Sequence, residues 1–259
     1  MKKNEPFTVV YEDPHLLAVN KSSGIAVTAD RWDPSLERLD RLAAAKLTAG
    51  AAGGEGAPAA AEVRILTVHR IDRDCSGLVV FAKDGETHRF LCEAFEGRQV
   101  KKRYIAVVHG RPAWKETSCD LPLVANGNKK HLTIIDKYRG KKSFTAFRLL
   151  GGVGSYAVVE ARPETGRTHQ IRVHLAALGH PIVCDPLYGS DKPVFLSSFK
   201  RGRRGDPFEE RPLLQRLGLH AAELVLPYRG AAAEGLLRLI APLSRDLAAL
   251  LKQMEKQGG

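Results

Sequence analysis

HRIDRDCSGLVVFAK, running from His69 to Lys83, decides how the rest of the chain is read. Its first half, His69-Arg70-Ile71-Asp72-Arg73-Asp74, crowds three basic-type side chains and two carboxylates into six positions. Cys75-Ser76-Gly77 then turns the chain into Leu78-Val79-Val80-Phe81-Ala82, a short apolar run with β-branched and aromatic residues. An apolar run of that length bounded by a glycine turn reads as a buried strand. A dense charge cluster therefore sits on a loop pinned by a core strand. Reactive groups are commonly held this way, on irregular backbone fixed by a rigid scaffold.

Taken alone, such a hexapeptide reads as a solvated turn with two salt bridges. The stretch also closely resembles the HRLDxxTSGLLLFAK signature of the RluA-type pseudouridine synthases, with Ile71 in place of Leu and Cys75 in place of Thr. The resemblance implies isomerisation of uridine to pseudouridine within RNA, with Asp72 at the position of the essential aspartate. His69 favours the RluA branch over the related RsuA branch, whose motif opens with Gly.

The chain has 259 residues, enough for one large core or two modest subdomains. Its apolar runs all fall short of a membrane span. The N-terminal MKKNEPFTVVYEDPHLLAV lacks the apolar core and cleavage site of a signal peptide, so a cytoplasmic protein is expected. Cys75, Cys92, Cys119 and Cys184 are widely spaced without a CxxC, which argues for reduced thiols and against a zinc site or a disulfide framework. His169 and His174 are five apart and do not share the helical face of an HExxH site. The formal net charge of +11 points to a polyanionic partner, most simply nucleic acid. Between Arg98 and Lys142, twelve Lys and Arg face three Asp and Glu, so much of the excess lies in one segment.

Along the chain, Phe7–Tyr11 and His15–Val19 read as strands joined by Glu12-Asp13-Pro14, in an opening like the family's EDxxLLAVNKPxGxxV. The resemblance begins almost at residue 1, so an S4-type RNA-binding domain is not expected in front of a single catalytic domain spanning 1–259. Asp33-Pro34-Ser35 is expected to start a helix with Leu36, Leu39, Ala43 and Leu47 inward. Residues 49–61, almost all Ala and Gly, are expected to form a flexible loop. Asp84 is positioned to cap a helix that Gly97 stops. Lys101–Gly110 alternates as a strand and resembles the family's KxYxAxVxG motif, which places Tyr104 against the target base. By itself Tyr104 would read as a core aromatic.

Residues 120–142 read as a polar hairpin around the apolar run Leu132–Ile135. Lys129, Lys130, Lys141 and Lys142, interleaved with His131 and Tyr138, suit backbone neutralisation and stacking on RNA. Phe144–Leu150 and Tyr156–Ala161 read as strands. Thr168 is expected to cap a helix with Ile171, Leu175 and Leu178 on its buried side, ended by Gly179. Glu164–Leu175 closely resembles the family's ETGRTHQIRVHL, which gives Arg172 the role of partner to the catalytic Asp. Without it, Arg172 would read as an ordinary surface arginine. Asp185–Gly189 and Leu219–Ala221 continue the similarity. The basic stretch 191–217 is expected to be an exposed insertion, and Ser244–Glu255 a terminal helix with Leu247, Leu250 and Leu251 on one face.

The strand-rich pattern by itself says α+β. The resemblance implies a mixed, largely antiparallel sheet bisected by a cleft, and a reaction needing no metal, nucleotide or redox cofactor. Asp72, Tyr104 and Arg172 are the expected catalytic residues. His69, Arg70, Ile171 and the four hairpin lysines are the expected substrate contacts, with Arg70 entering the space vacated by the flipped nucleotide. The expected partner is RNA, ribosomal or transfer, with no membrane and no metal, and the expected state is a monomer. Two rivals remain: a non-catalytic RNA-binding protein or chaperone on the same fold, and a glycosidase-like hydrolase, which would need paired carboxylates.

Overall fold

In the computed structural model, residues 5–29, 33, 35–51, 64–200, 209–230 and 233–258 are described. The chain begins with β1 (Phe7–Glu12), β2 (Leu16–Lys21), α1 (Leu39–Ala51), β3 (Leu66–Thr67), β4 (Ser76–Ala82) and α2 (Gly85–Glu96). The middle holds β5 (Lys101–His109), β6 (Glu116–Cys119), β7 (Leu123–Val124), β8 (Ile134–Ile135), β9 (Thr145–Val153), β10 (Tyr156–Pro163) and α3 (Gln170–Ala177). After a short 3-10 turn at Leu196–Ser198 come β11 (Leu219–Gly230), β12 (Ala233–Ile240) and α4 (Arg245–Gly258). The chain packs as two units, residues 1–101 with 223–242 and residues 102–222 with 243–259.

In the first unit the strands are hydrogen-bonded in the order β1, β2, β4, β11, with β12 on β11 and β3 on β4. β4 is buried along its whole length, as its unbroken apolar run requires of a strand flanked on both edges. It pairs antiparallel with β2, from Leu16 opposite Ala82 to Lys21 opposite Gly77. Leu16, Ala18, Leu78, Val80, Leu224 and Leu226 meet Leu91 and Ala94 of α2 in one core. The expected cap on α2 is present: Asp84 accepts the Thr87 N–H at 2.7 Å, and Gly97 closes the helix.

In the second unit β5, β10, β9 and β6 follow one another in antiparallel pairing. Tyr104 lies opposite Ala161, and Phe147 also opposite Ala161, so Tyr104, Ala161, Phe147 and Thr145 share one face. The opposite face carries Val107, Tyr156 and Val158, which pack with Leu247, Leu250 and Met254 of α4. β7 and β8 pair Leu123 with Ile135 and Val124 with Ile134, giving the expected hairpin with only two residues per strand.

Three local expectations are corrected. The first helix begins at Leu39, not at 33–35. Asp33 turns its carboxylate onto the Ser35 N–H at 3.0 Å, and the chain is still extended at Arg38, where Leu39 N–H and Asp40 N–H bond the carbonyls of Ala26 and Val27. The 49–61 loop is helical as far as Ala51, and the remainder falls outside the described residues. Thr168 does not cap α3. His169 precedes the helix in the left-handed region, with φ of 54° and no side-chain cap, and the Gln170 side chain instead reaches back to accept the Arg167 N–H at 3.0 Å.

The 191–217 stretch is not simply exposed. Val194 and Leu214 bridge each other and are buried in the second core, as is Leu217 in its surroundings, while residues 201–208 fall outside the described residues. Two apolar anchors fasten the ends of a basic segment that composition alone shows as a surface loop.

Candidate active site

Asp72 stands in a tight turn in which its carbonyl accepts the Cys75 N–H at 3.1 Å. That turn is clamped from behind by the segment following β2. Lys21 Nζ donates to the Arg73 carbonyl at 2.8 Å and to the Ser22 carbonyl at 2.9 Å. Gly24 N–H donates to the same Arg73 carbonyl at 2.9 Å, and Ser23 Oγ to the Asp74 carbonyl at 2.7 Å. Ile71 and Cys75 are buried on either side of Asp72, which is itself half-buried. The carboxylate is thus presented from a backbone whose carbonyls are tied to a core strand. That is the pre-organisation a reacting group needs.

His69 has a scaffold role that the sequence did not announce. Its Nε2 accepts the Val80 N–H at 3.0 Å, which makes Nδ1 the protonated nitrogen of the neutral ring, and the ring stacks on Phe95 at 4.5 Å. Arg70 is exposed. Asp74 pairs with Arg73 at 3.3 Å, both side chains largely in water, and such a pair contributes little.

In the second unit, α3 is buried all round from Gln170 to Leu175. Arg172 is therefore no surface arginine: it is 2% exposed, and its guanidinium lies flat against Asp185 in two bonds, Nε to Oδ2 at 2.8 Å and Nη2 to Oδ1 at 2.7 Å. Asp185 Oδ1 also accepts the N–H groups of Leu187 and Tyr188. A buried carboxylate saturated in this way holds the planar guanidinium at a fixed orientation. The Tyr188 ring lies 5.2 Å from the Arg172 carbon Cζ, a cation–π contact. The Tyr188 hydroxyl accepts the Thr133 N–H and shares a bond with His169 Nδ1, each at 2.9 Å.

A second buried network supports the helix. Gln170 Nε2 donates to Thr145 Oγ1 at 2.9 Å, which leaves the Thr145 proton for His174 Nδ1 at 3.0 Å. His174 Nε2 then carries the proton toward the Leu121 carbonyl at 3.1 Å. The neutral imidazole that this requires agrees with a pKa pushed below its ordinary 6.5 by burial. Lys102 Nζ donates to the Thr165 carbonyl at 3.1 Å and fixes the loop before α3.

Tyr104 is half-buried near the start of β5. Ile171, expected among the substrate contacts, lies in the first turn of α3 and is only 6% exposed. Lys129, Lys130, Lys141 and Lys142 are all exposed. Lys21, Asp185, Tyr188 and Gln170 were not singled out from the sequence, and His174 was weighed there only as a metal ligand. Asp185 and Tyr188 lie in the DPLYG motif, which was the available signal. Among the described residues no cluster of three or more His, Cys, Asp and Glu is arranged to hold a metal, and no helix is long and apolar enough to cross a membrane.

Known proteins resemble this chain over nearly its whole length. Ribosomal large subunit pseudouridine synthase D of Zymomonas mobilis is 33% identical over 255 residues, covering 96% of this chain and 73% of that relative. Ribosomal large subunit pseudouridine synthase C of Vibrio cholerae is 34% identical over 248 residues, covering 96% of this chain and 69% of the relative. Among solved structures, human RNA pseudouridylate synthase domain containing 4 has the same fold, with a TM-score of 0.68 at 23% identity over 95% of this chain and 92% of that one. The sequence profile of RNA pseudouridylate synthases matches residues 15–177, from β2 through the clamped Asp72 turn to the end of α3. With the motifs, the fold and relatives that cover 96% of this chain in agreement, the chain belongs to the RNA pseudouridylate synthase family and is an isomerase acting on RNA.

Proposed function

We propose that this protein converts one or more uridines of large-subunit ribosomal RNA to pseudouridine in the cytoplasm, acting as a monomer with Asp72 as its catalytic carboxylate. The ribosomal target is supported by the names of the relatives from Zymomonas mobilis and Vibrio cholerae. The observation that carries the catalytic assignment is the clamp on the Asp72 turn. Three donors from residues 21–24 grip the carbonyls of Arg73 and Asp74, while the Asp72 side chain projects from a half-buried position.

In the reaction the N1–C1′ bond of uridine breaks, uracil rotates, and C5 bonds to C1′. The proton from C5 is lost and N1 gains one, so the product has the mass of the substrate. A carboxylate serves at the sugar or base as nucleophile, or as general base. Tyr104 offers a ring for the uracil face, and Arg172 the cation that keeps a carboxylate ionised. Arg70, exposed beside the turn, is the candidate to fill the gap left by the flipped nucleotide, since the reacting atoms are inaccessible in a stack. The exposed lysines 129, 130, 141 and 142 neutralise backbone phosphates.

Tritium release from RNA labelled at uridine C5 tests the assignment. Asp72→Asn is nearly isosteric and should bind RNA like the parent, melt within a few degrees of it, and release no tritium. Asp74→Asn should retain most of the activity. Sustained release from Asp72→Asn, or loss confined to Asp74→Asn, would refute it. Pseudouridine mapping of total RNA from cells with and without the gene tests the target. Sites lost from transfer RNA alone would move the substrate away from the ribosome.

A further inference from the structure

Tyr138 is 98% exposed, the highest value among the described large apolar and aromatic side chains. A tyrosine left wholly in water contributes nothing to the core, although its ring is among the largest apolar surfaces a side chain can bring to a contact. Its mounting is rigid. Asp136 Oδ1 accepts the N–H groups of Tyr138 and Arg139, each at 2.9 Å, and Oδ2 accepts Arg139 Nε at 2.7 Å. The Asp136 carbonyl accepts the Gly140 N–H at 2.9 Å. At Gly140 a Cβ would fall 2.3 Å from that carbonyl oxygen and 2.7 Å from the Pro122 carbonyl carbon, so the turn closes only on glycine. Paired bonds between Leu123 and Lys141, at 3.0 and 2.9 Å, fasten the turn to β7.

The surroundings are cationic. Lys137, Arg139, Lys141 and Lys142 flank Tyr138 in the sequence and are exposed, and Asp136, the carboxylate of this run, is engaged by Arg139. We propose that Tyr138 is a stacking platform for an unpaired nucleobase of the RNA substrate, with the flanking cations holding the backbone on either side. This rests on the RNA-modifying function above and names how that RNA is read. A ring standing clear of its own surface presents open faces, and every base has a π face to lay on it. Bases inside a duplex are covered by their neighbours, so the platform selects a loop, bulge or single strand. A fixed turn means that little entropy is lost when the base arrives.

Binding of a stem–loop RNA with uridines in its loop, and of the same strand annealed to its full complement, tests this for the parent, Tyr138→Ala and Tyr138→Trp. Tyr138→Ala should weaken stem–loop binding by roughly 5- to 150-fold, the range of one lost base–aromatic stack. Its salt slope should match the parent's, because the lost contact carries no charge. Duplex affinity should be the same for all three proteins, Tyr138→Trp should bind the stem–loop at least as well as the parent, and melting temperatures should coincide. Equal stem–loop affinity of Tyr138→Ala and parent, with salt-sensitive binding retained, overturns the platform and leaves the surface to another partner such as an acidic peptide. Equal losses on stem–loop and duplex also overturn it. A parent that binds neither RNA overturns the function on which it rests.

Discussion

At the scale of single residues, the most exacting position is Lys21. Its side chain is 1% exposed, yet an ammonium is costly to strip of water unless its protons are bonded. Two of those bonds go to the carbonyls of Ser22 and Arg73, and the second spans 52 residues of sequence to reach the turn that carries Asp72. Lys21→Met keeps the stem and removes the donors, so the Ser22 carbonyl loses its ammonium partner and the Arg73 carbonyl keeps only the Gly24 N–H. A loss of about 1–3 kcal/mol is expected, read as a lower urea midpoint. If the clamp positions Asp72, kcat should fall while KM for RNA stays near the parent value. A variant that loses stability at unchanged kcat would confine Lys21 to the fold. Asp72 and Arg172 were named from their motifs, but the contacts that fix Arg172 and the Asp72 turn were not. Lys21 to Arg73 and Arg172 to Asp185 are contacts made by chain folding, and periodicity and spacing report only neighbours along the chain.

At the scale of elements, the same limit explains which helix ends were legible. Asp84 and Asp33 both look like caps. The first works because the chain after it is free to coil, with the Asp84 carboxylate accepting the Thr87 N–H. The second fails because the N–H groups of Leu39 and Asp40 are claimed by the carbonyls of Ala26 and Val27 before a helix can start. The strands were easier, since β2, β4, β5, β9 and β10 follow apolar runs or alternation that no distant bond overrides. One tie between elements has a functional consequence. Tyr188 joins the basic hairpin, through the buried Thr133 N–H, to His169 at the start of α3, while its ring faces Arg172. Tyr188→Phe keeps the ring and removes the acceptor. The Thr133 amide should then lose hydrogen-exchange protection, and KM for RNA should rise as the hairpin loosens, with kcat little changed. A fall in kcat at constant KM would assign the hydroxyl to Arg172 instead. The destabilisation should be about 1–3 kcal/mol, the cost of one buried donor left unpaired.

At the scale of the whole molecule, the buried titratable groups set a direction for stability with pH. His109 and His174, both in the second unit, have pKa values pushed below 6.5 by burial. In the unfolded chain each takes up its proton as pH falls through about 6.5, whereas in the fold each resists until lower pH. The unfolded state therefore binds more protons in that window, and stability declines as pH drops through it. Asp13 and Asp84 in the first unit, and Asp246 in the second, are shifted below 3.8. Burial alone would raise all three carboxyls, and hydrogen bonds from Tyr228, from the Thr87 N–H and from Arg216 respectively reverse it. Their contribution is complete above 3.8 and is lost as pH falls below it, so acid weakens the protein in two successive windows. Urea midpoints at pH 7.5, 5.5 and 3.5 should fall at each step. Amides of β5 and α3, the elements that carry His109 and His174, should lose hydrogen-exchange protection in the first window after correction for the intrinsic rate. His174 is the sharper test, because the Thr145 hydroxyl and the Leu121 carbonyl fix its neutral tautomer. An imidazole at that position titrating at or above 6.5 by NMR, or a midpoint unchanged between pH 7.5 and 5.5, would mean that the network tolerates the charged ring and would remove the first window.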